Sequence, residues 1–318
     1  MPSSRRTLLA SIGAAAAGLA GCLDGGESPA SPTRTSTATP TDTPADDAAT
    51  LGDAVALDGV TVTVSDLVTA HSVRYLTAPD AMGVATTEGD QFAVVDASVR
   101  GEQPPAPHRF ALVADGTYYG SGIEYVGPAR VDAPVSGRQY DDSNPGGFLG
   151  FRVPAPLDAE SVAVVLSGEG RRATDMQPEA DDPAARWSVP PAAADPLRSP
   201  PPAFSASVEV PTEVSADQPI PVTLDVTNEG DGPGVFRGAI NHRGPLYSAA
   251  GIDLPLSAGE SATHEATIDY HVDDETPPES VRFSVVGPGI DRSVAVTVEG
   301  GGTPEGTTTG TATATGTR

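Results

Sequence analysis

From Leu51 to Glu299 the apolar residues of this chain fall on alternate positions, a few at a time, and almost nowhere at helical spacing. "PIPVTLDVTNEG" (219–230) sets Ile220, Val222, Leu224 and Val226 against Thr223, Asp225 and Thr227. A strand turns successive side chains to opposite faces, so such a segment buries one face and wets the other. "SATHEATIDYHV" (261–272) places Ala266, Ile268, Tyr270 and Val272 inward. "SVRFSVV" and "RSVAVTVEG" do the same through Val281, Phe283, Val285 and Val294, Val296, Val298. With "FSASVEV", "GVFRGAIN" and "GIDLPLSAG", seven short strands are expected over residues 203–299. Turn signals between them argue a β-sandwich of immunoglobulin-like type.

The same period, less cleanly, runs through residues 51–190. "GVTVTVSDL" opens it with Val60, Val62 and Val64 on one face. Further strands are expected at "QFAVVDASV" (91–99), "RFALVAD" (109–115), "GFLGFRVP" (147–154), "SVAVVLSG" (161–168) and "ARWSVP" (185–190). Asp115-Gly116, Asn144-Pro145-Gly146-Gly147 and Gly168-Glu169-Gly170 punctuate them. Between about Gly120 and Gly147 the pattern lapses into an irregular excursion. The expected fold class is therefore all-β, two Ig-like sandwiches. They are separated by a Pro-rich spacer at 191–202, whose prolines favour a semi-rigid extended form.

The ends differ in kind. Residues 22–50 are rich in Ser, Thr and Pro, and residues 300–318 in Thr and Gly. Neither offers enough apolar surface to offset the entropy of ordering, so a disordered stalk and a disordered tail are expected. Ahead of the stalk stands "TLLASIGAAAAGLAGC" (7–22), with an apolar run of about 13 residues against the roughly 20 a spanning helix needs. Arg5 and Arg6 precede the run and Cys22 closes it. Residues 1–21 thus resemble the signal peptide of twin-arginine-exported lipoproteins, in which the paired arginines address the export machinery. That resemblance implies lipidation at Cys22, the single cysteine of the 318 residues, and a location on the outer face of the cell membrane. A single acyl chain holds weakly, so stable anchoring would need a two-chain lipid.

The charge has a particular composition. All 18 basic residues are arginine, against 43 Asp and Glu, for a formal net charge of −25. A chain this acidic repels itself in dilute buffer and is relieved in molar salt, where the Debye length is about 3 Å. Excess acid with no lysine resembles the proteins of extreme halophiles, archaeal ones in particular. It also leaves no basic patch for nucleic acid.

Residues 204–299, through "VTLDVTNEGDGPGVF" and "IDLPLSAGESAT", are similar to the adhesion-related Ig-like domains of prokaryotic surfaces. Residues 51–168, through "LGDAVALDGVTVTVSDL", "GDQFAVVDASVRG" and "GGFLGFRVP", resemble Ig-like domains found in lipoproteins. These resemblances imply a fold and a surface setting, not an activity.

Chemistry is sparse. A blue-copper centre needs a cysteine thiolate beside two histidines, and Cys22 is committed to the lipid. "YGSGIEY" (119–125) lacks the spacing and the following helix of a nucleophile elbow. No βαβ repeat suggests a two-lobed solute receptor. His71, His108, His242, His264 and His271 share no helical zinc spacing. "YDDSN", "EADDP" and "DETPPE" lack the Asp-x-Asp-x-Asp-Gly calcium framework. No catalytic residue, metal or cofactor is expected. Tyr118, Tyr119, Tyr125 and Tyr140 border or occupy the excursion, where rigid amphipathic rings on a loop suit binding. The expectation is a lipid-anchored surface protein that binds an envelope protein or glycan without catalysis. The alternatives are an accessory factor for assembling an extracytoplasmic partner, or an enzyme whose cleft gathers Arg130, Arg138, Tyr140 and Asp141.

Overall fold

The computed structural model describes residues 49–300, apart from 124, 125, 142, 179, 245 and 272–275. The expected signal with Arg5 and Arg6, the anchor Cys22, nearly all of the stalk, Tyr125 and the tail beyond residue 300 lie outside the described residues.

The chain is all-β, as expected. In the first half the strands are β1 (Ala49–Thr50), β2 (Ala54–Leu57), β3 (Val60–Ala70), β4 (Ser72–Ala78), β5 (Ala81–Thr86) and β6 (Asp90–Gly101). Then come β7 (Phe110–Ala114), β8 (Thr117–Gly120), β9 (Arg130–Ala133), β10 (Gly137–Arg138), β11 (Gly146–Pro154), β12 (Val162–Leu166) and β13 (Ala185–Ser188). They form three sheets, ordered β1-β13-β12-β7-β8, β11-β6-β3-β2 and β10-β9-β4-β5.

The first two sheets make a sandwich, and the third adds a layer. Strand β6 shows why. Its Ala93, Val95, Ala97 and Val99 face one core with Val62, Phe110, Phe151, Val164 and Trp187. Its Phe92 and Val94 face a second core with Val73, Ile123, Val131 and Phe148. A strand buried on both faces reads as a continuous apolar run, and "QFAVV" is one. A register shift between Ser65 and Val68 in β3, with Asp66 at φ 53°, changes which side chains face each core. Trp187 is fully buried, and its indole N–H donates to the Asp53 carbonyl at 3.0 Å.

After β13 the expected spacer contains a helix, α1 (Pro191–Arg198), whose Ala194 and Leu197 are buried in the first core. Pro191 sits at the first helical turn, where a missing N–H costs nothing. The spacer is held on both sides. Leu197 O accepts from Leu157 N and from the buried Gln91 amide, while Pro201 O accepts from Gly232 N. A methyl group on Gly232 would stand 1.6 Å from the Pro200 carbonyl oxygen, so only glycine admits this approach. At the other end, Ala49 and Thr50 of the expected stalk pair with Trp187 and Ser188.

The second half contains β14 (Phe204–Glu209), β15 (Glu213–Ser215), β16 (Ile220–Asn228), β17 (Gly234–His242) and β18 (Ser248–Leu256). It ends with β19 (Ser261–Ile268), β20 (Ser280–Gly287) and β21 (Ile290–Glu299). All seven expected strands are present, joined by the short β15. Sheet β14-β16-β19 packs on sheet β15-β21-β20-β17-β18. Ile220, Val222, Leu224, Val226, Phe236, Tyr270, Phe283 and Val296 fill the core between them. The Tyr270 hydroxyl donates to Ser215 O at 3.2 Å, which satisfies its one polar atom.

The β4–β5 hairpin bridges the two sandwiches. Arg74 is 5 % exposed and lies over Gly251, where a Cβ would come within 2.5 Å of its guanidinium carbon. Its Nε donates to Asp132 at 2.8 Å, Nη2 to Asp253 at 2.8 Å, and Nη1 to the carbonyls of Ile252 and Gly238 at 2.9 and 3.3 Å. Asn241 closes the hairpin edge: its oxygen accepts from Met82 N at 2.8 Å and its amide donates to Met82 O at 2.9 Å. Arg237 adds a bond to Ser72 O at 3.4 Å.

Candidate functional site

The excursion between Gly120 and Gly147 holds more order than its sequence suggests. Strands β9 and β10 form a small hairpin, and β9 pairs with β4. Four- and two-residue strands are too short to show a period, so sequence reading missed them. Gln139 steadies the approach, accepting from Ile123 N at 3.0 Å and donating to Gly127 O at 2.8 Å.

Beside this hairpin lies a depression of about 710 Å³. Arg138, Gln139, Tyr140, Asp141, Ser143 and Asn144 line it, together with Pro107, Gly127 and Pro128. Three of the four residues proposed for a cleft, Arg138, Tyr140 and Asp141, are therefore brought together. Arg130 stands directly across the ladder from Arg138.

The tyrosines are not gathered into one surface. Tyr140 is 2 % exposed; its ring meets Phe110 edge-on at 5.5 Å and its hydroxyl donates to Pro105 O at 2.7 Å. Tyr118 and Tyr119 are half-buried neighbours on β8, so they point to opposite faces. Tyr119 packs on the main core, and Tyr118 on a separate cluster with Val113, Val165 and Ala173.

Asp141 is occupied locally. One carboxylate oxygen accepts from the Ser143 hydroxyl, from Ser143 N at 2.8 Å and from Asn144 N at 2.7 Å. The Ser143 hydroxyl first, then the backbone N–H groups and the nearby Arg138, hold its carboxyl below the usual range. A carboxylate so stabilised is a poor proton acceptor near neutral pH. Arg130 and Arg138 are both exposed, and neither guanidinium has a hydrogen bond or ion pair among the described residues.

The histidines serve separate places. Burial, reinforced by the Arg237 guanidinium, pushes His71 down to about 4, and burial also lowers His242. His271 is raised by its bond to Asp269, 2.9 Å away, and its other ring nitrogen bonds Ala216 O at 2.7 Å. His264 is half-buried on β19, and His108 is exposed. Among the described residues no three His, Cys, Asp or Glu side chains converge in a metal-binding group. No helix among them is long and apolar enough to cross a membrane.

No family model matches the chain, and no curated protein matches it. Among solved structures, a β-glucosidase from Listeria innocua in complex with glucose aligns over 32 % of this chain and 16 % of its own, at 18 % identity and TM-score 0.27. An uncharacterised β-sandwich protein from Clostridium difficile 630 aligns over 48 % of this chain and 98 % of its own, at 13 % identity and TM-score 0.28. A red sea bream transglutaminase aligns over 73 % and 31 %, at 13 % identity and TM-score 0.24. The chain thus spans a small part of the glucosidase, and likenesses this slight carry no activity across.

Proposed function

We propose that this protein is an exported lipoprotein, anchored through Cys22 on the outer face of the cell membrane, where its two Ig-like sandwiches bind an envelope protein or glycan. The observation that carries the reading is the order of Arg5-Arg6, the apolar run and Gly21-Cys22 within the first 22 residues. The Ser/Thr/Pro-rich segment that follows suits a stalk. The 43 acids without lysine suit work in molar salt.

Mass spectrometry of the membrane fraction, wild type against Cys22→Ser, tests it. The expected result is a lipid adduct on a new N-terminal Cys22, and release of the variant into the medium. A native chain that still begins at Met1 in the membrane fraction would refute export and anchoring together.

A further inference from the structure

Cation placement singles out one spot on the first sandwich. In the β9–β10 ladder Arg130 and Arg138 are directly opposite residues, and such pairs project to the same side of the sheet. Val131, between them in sequence on β9, is fully buried in the core beneath, so the two arginines occupy the outer side. Among the paired strand positions of the described residues, no other ladder position sets two cations face to face. Like charges so placed repel each other, and among the described residues no carboxylate hydrogen-bonds to either guanidinium, although Asp141 stands close enough to Arg138 to feel its charge. Some arginines of the chain have carboxylate partners: Arg171 forks onto Asp181 with two bonds of 2.6 Å, Arg152 meets Asp90, and Arg74 meets Asp132 and Asp253; others, such as Arg186 and Arg282, have none among the described residues, but none of those faces a second cation across a ladder.

The neighbourhood adds a shape. Arg138 lines the 710 Å³ depression, within the range of small-molecule sites. Its other polar lining is amide and hydroxyl: Gln139, Ser143 and Asn144, of which the Asn144 side chain makes no hydrogen bond among the described residues. Pro107, Gly127 and Pro128 complete the lining. The one carboxylate in the lining, Asp141, is tied into its turn but keeps its charge.

We propose that Arg130 and Arg138 form an anion-binding pair for an acidic saccharide, taking a sugar carboxylate between their guanidinium groups while the depression receives its hydroxyl-bearing ring. Two planar guanidinium forks match a carboxylate with charge-assisted bonds, and the Asn144 amide suits a neutral hydroxyl. A bound carboxylate offsets the charge of both guanidinium groups at once. The site rests on geometry independent of the Cys22 anchor, and either can fail alone.

The test is calorimetric titration of the full chain, at molar salt so that the acidic surface is screened beyond about 3 Å. The probes are a galacturonate tetrasaccharide and its methyl ester, which keeps every sugar contact but removes the charge. Saturable binding of the acid, at least about tenfold weaker for the ester and for Arg130→Gln/Arg138→Gln, is expected. The double variant should still unfold cooperatively near the wild-type temperature, because neither guanidinium has a hydrogen bond among the described residues; that separates lost binding from lost fold. No saturable binding to the acid, or equal binding of acid and ester, or undiminished binding by the folded double variant, would overturn the proposal.

Discussion

Arg74 and Gly251 define one contact from two directions. The guanidinium gives four polar groups their partner, and the glycine gives it room. Arg74→Met should cost about 2–3 kcal/mol, since Asp132 and Asp253 remain 39 % and 45 % exposed and rehydrate in part while the two carbonyls lose their donor. Gly251→Ala should cost a similar amount by forcing the guanidinium away, yet be nearly neutral once Arg74→Met is present. Denaturant unfolding of the two single variants and the double variant reads that coupling directly. His71 gives a second residue-scale expectation. It is neutral in the fold because its folded value lies near 4, below the ordinary 6.5. Between those values the unfolded chain binds the extra proton, so stability is whole above about pH 6.5 and drains away as pH falls toward 4. Allowing for its partial exposure, the loss is on the order of 2 kcal/mol. Urea titrations from pH 7.5 to 4.5 should show a shallower acid-side decline in His71→Gln; an unchanged slope would discard the assignment. His271, raised by Asp269, acts with the opposite sign: its contribution is present below pH 6.5 and lost as pH rises through its folded value.

At the scale of elements, the second sandwich was legible because most of its strands wet one face; β17, buried continuously over 238–242 beneath the β4–β5 hairpin, is the exception. The strict alternation in β16, buried at Ile220, Val222, Leu224 and Val226, is the signature of a two-layer fold. The first half hid its third layer for the same reason. Sheet β11-β6-β3-β2 is covered on both sides, so Phe92 and Val94 carry no polar alternation to reveal which core they serve. The β4–β5 hairpin was also missed, although "SVRYLTA" alternates; its outward position is Arg74, a charge that only a distant sheet could bury. The spacer misled through composition. Six prolines in "PPAAADPLRSPPP" read as extended chain, but "AAADPLR" follows a proline suited to a first turn and buries Ala194 and Leu197. Of the candidate site, the residue types near 138–141 were readable, whereas the opposition of Arg130 to Arg138 depends on a register that two short strands cannot announce.

Over the whole molecule, the hairpin and the docked spacer should make the two sandwiches unfold as one. Trp187, the sole tryptophan, lies wholly in the first, so its fluorescence follows that half alone. Far-ultraviolet circular dichroism follows both. The two melting curves should superimpose in wild type, and Arg74→Met should separate them; separate curves in wild type would show that the halves are independent. The junction also sets terms for change. A replacement for the second sandwich would have to bring a glycine where 251 stands, a carboxylate at 253 and an amide at 241, all read by a hairpin encoded more than a hundred residues earlier. These three positions act as a key between modules. They would let an inherited pair travel together through recombination, and would reject a foreign sandwich of the same fold at the joint rather than in its core.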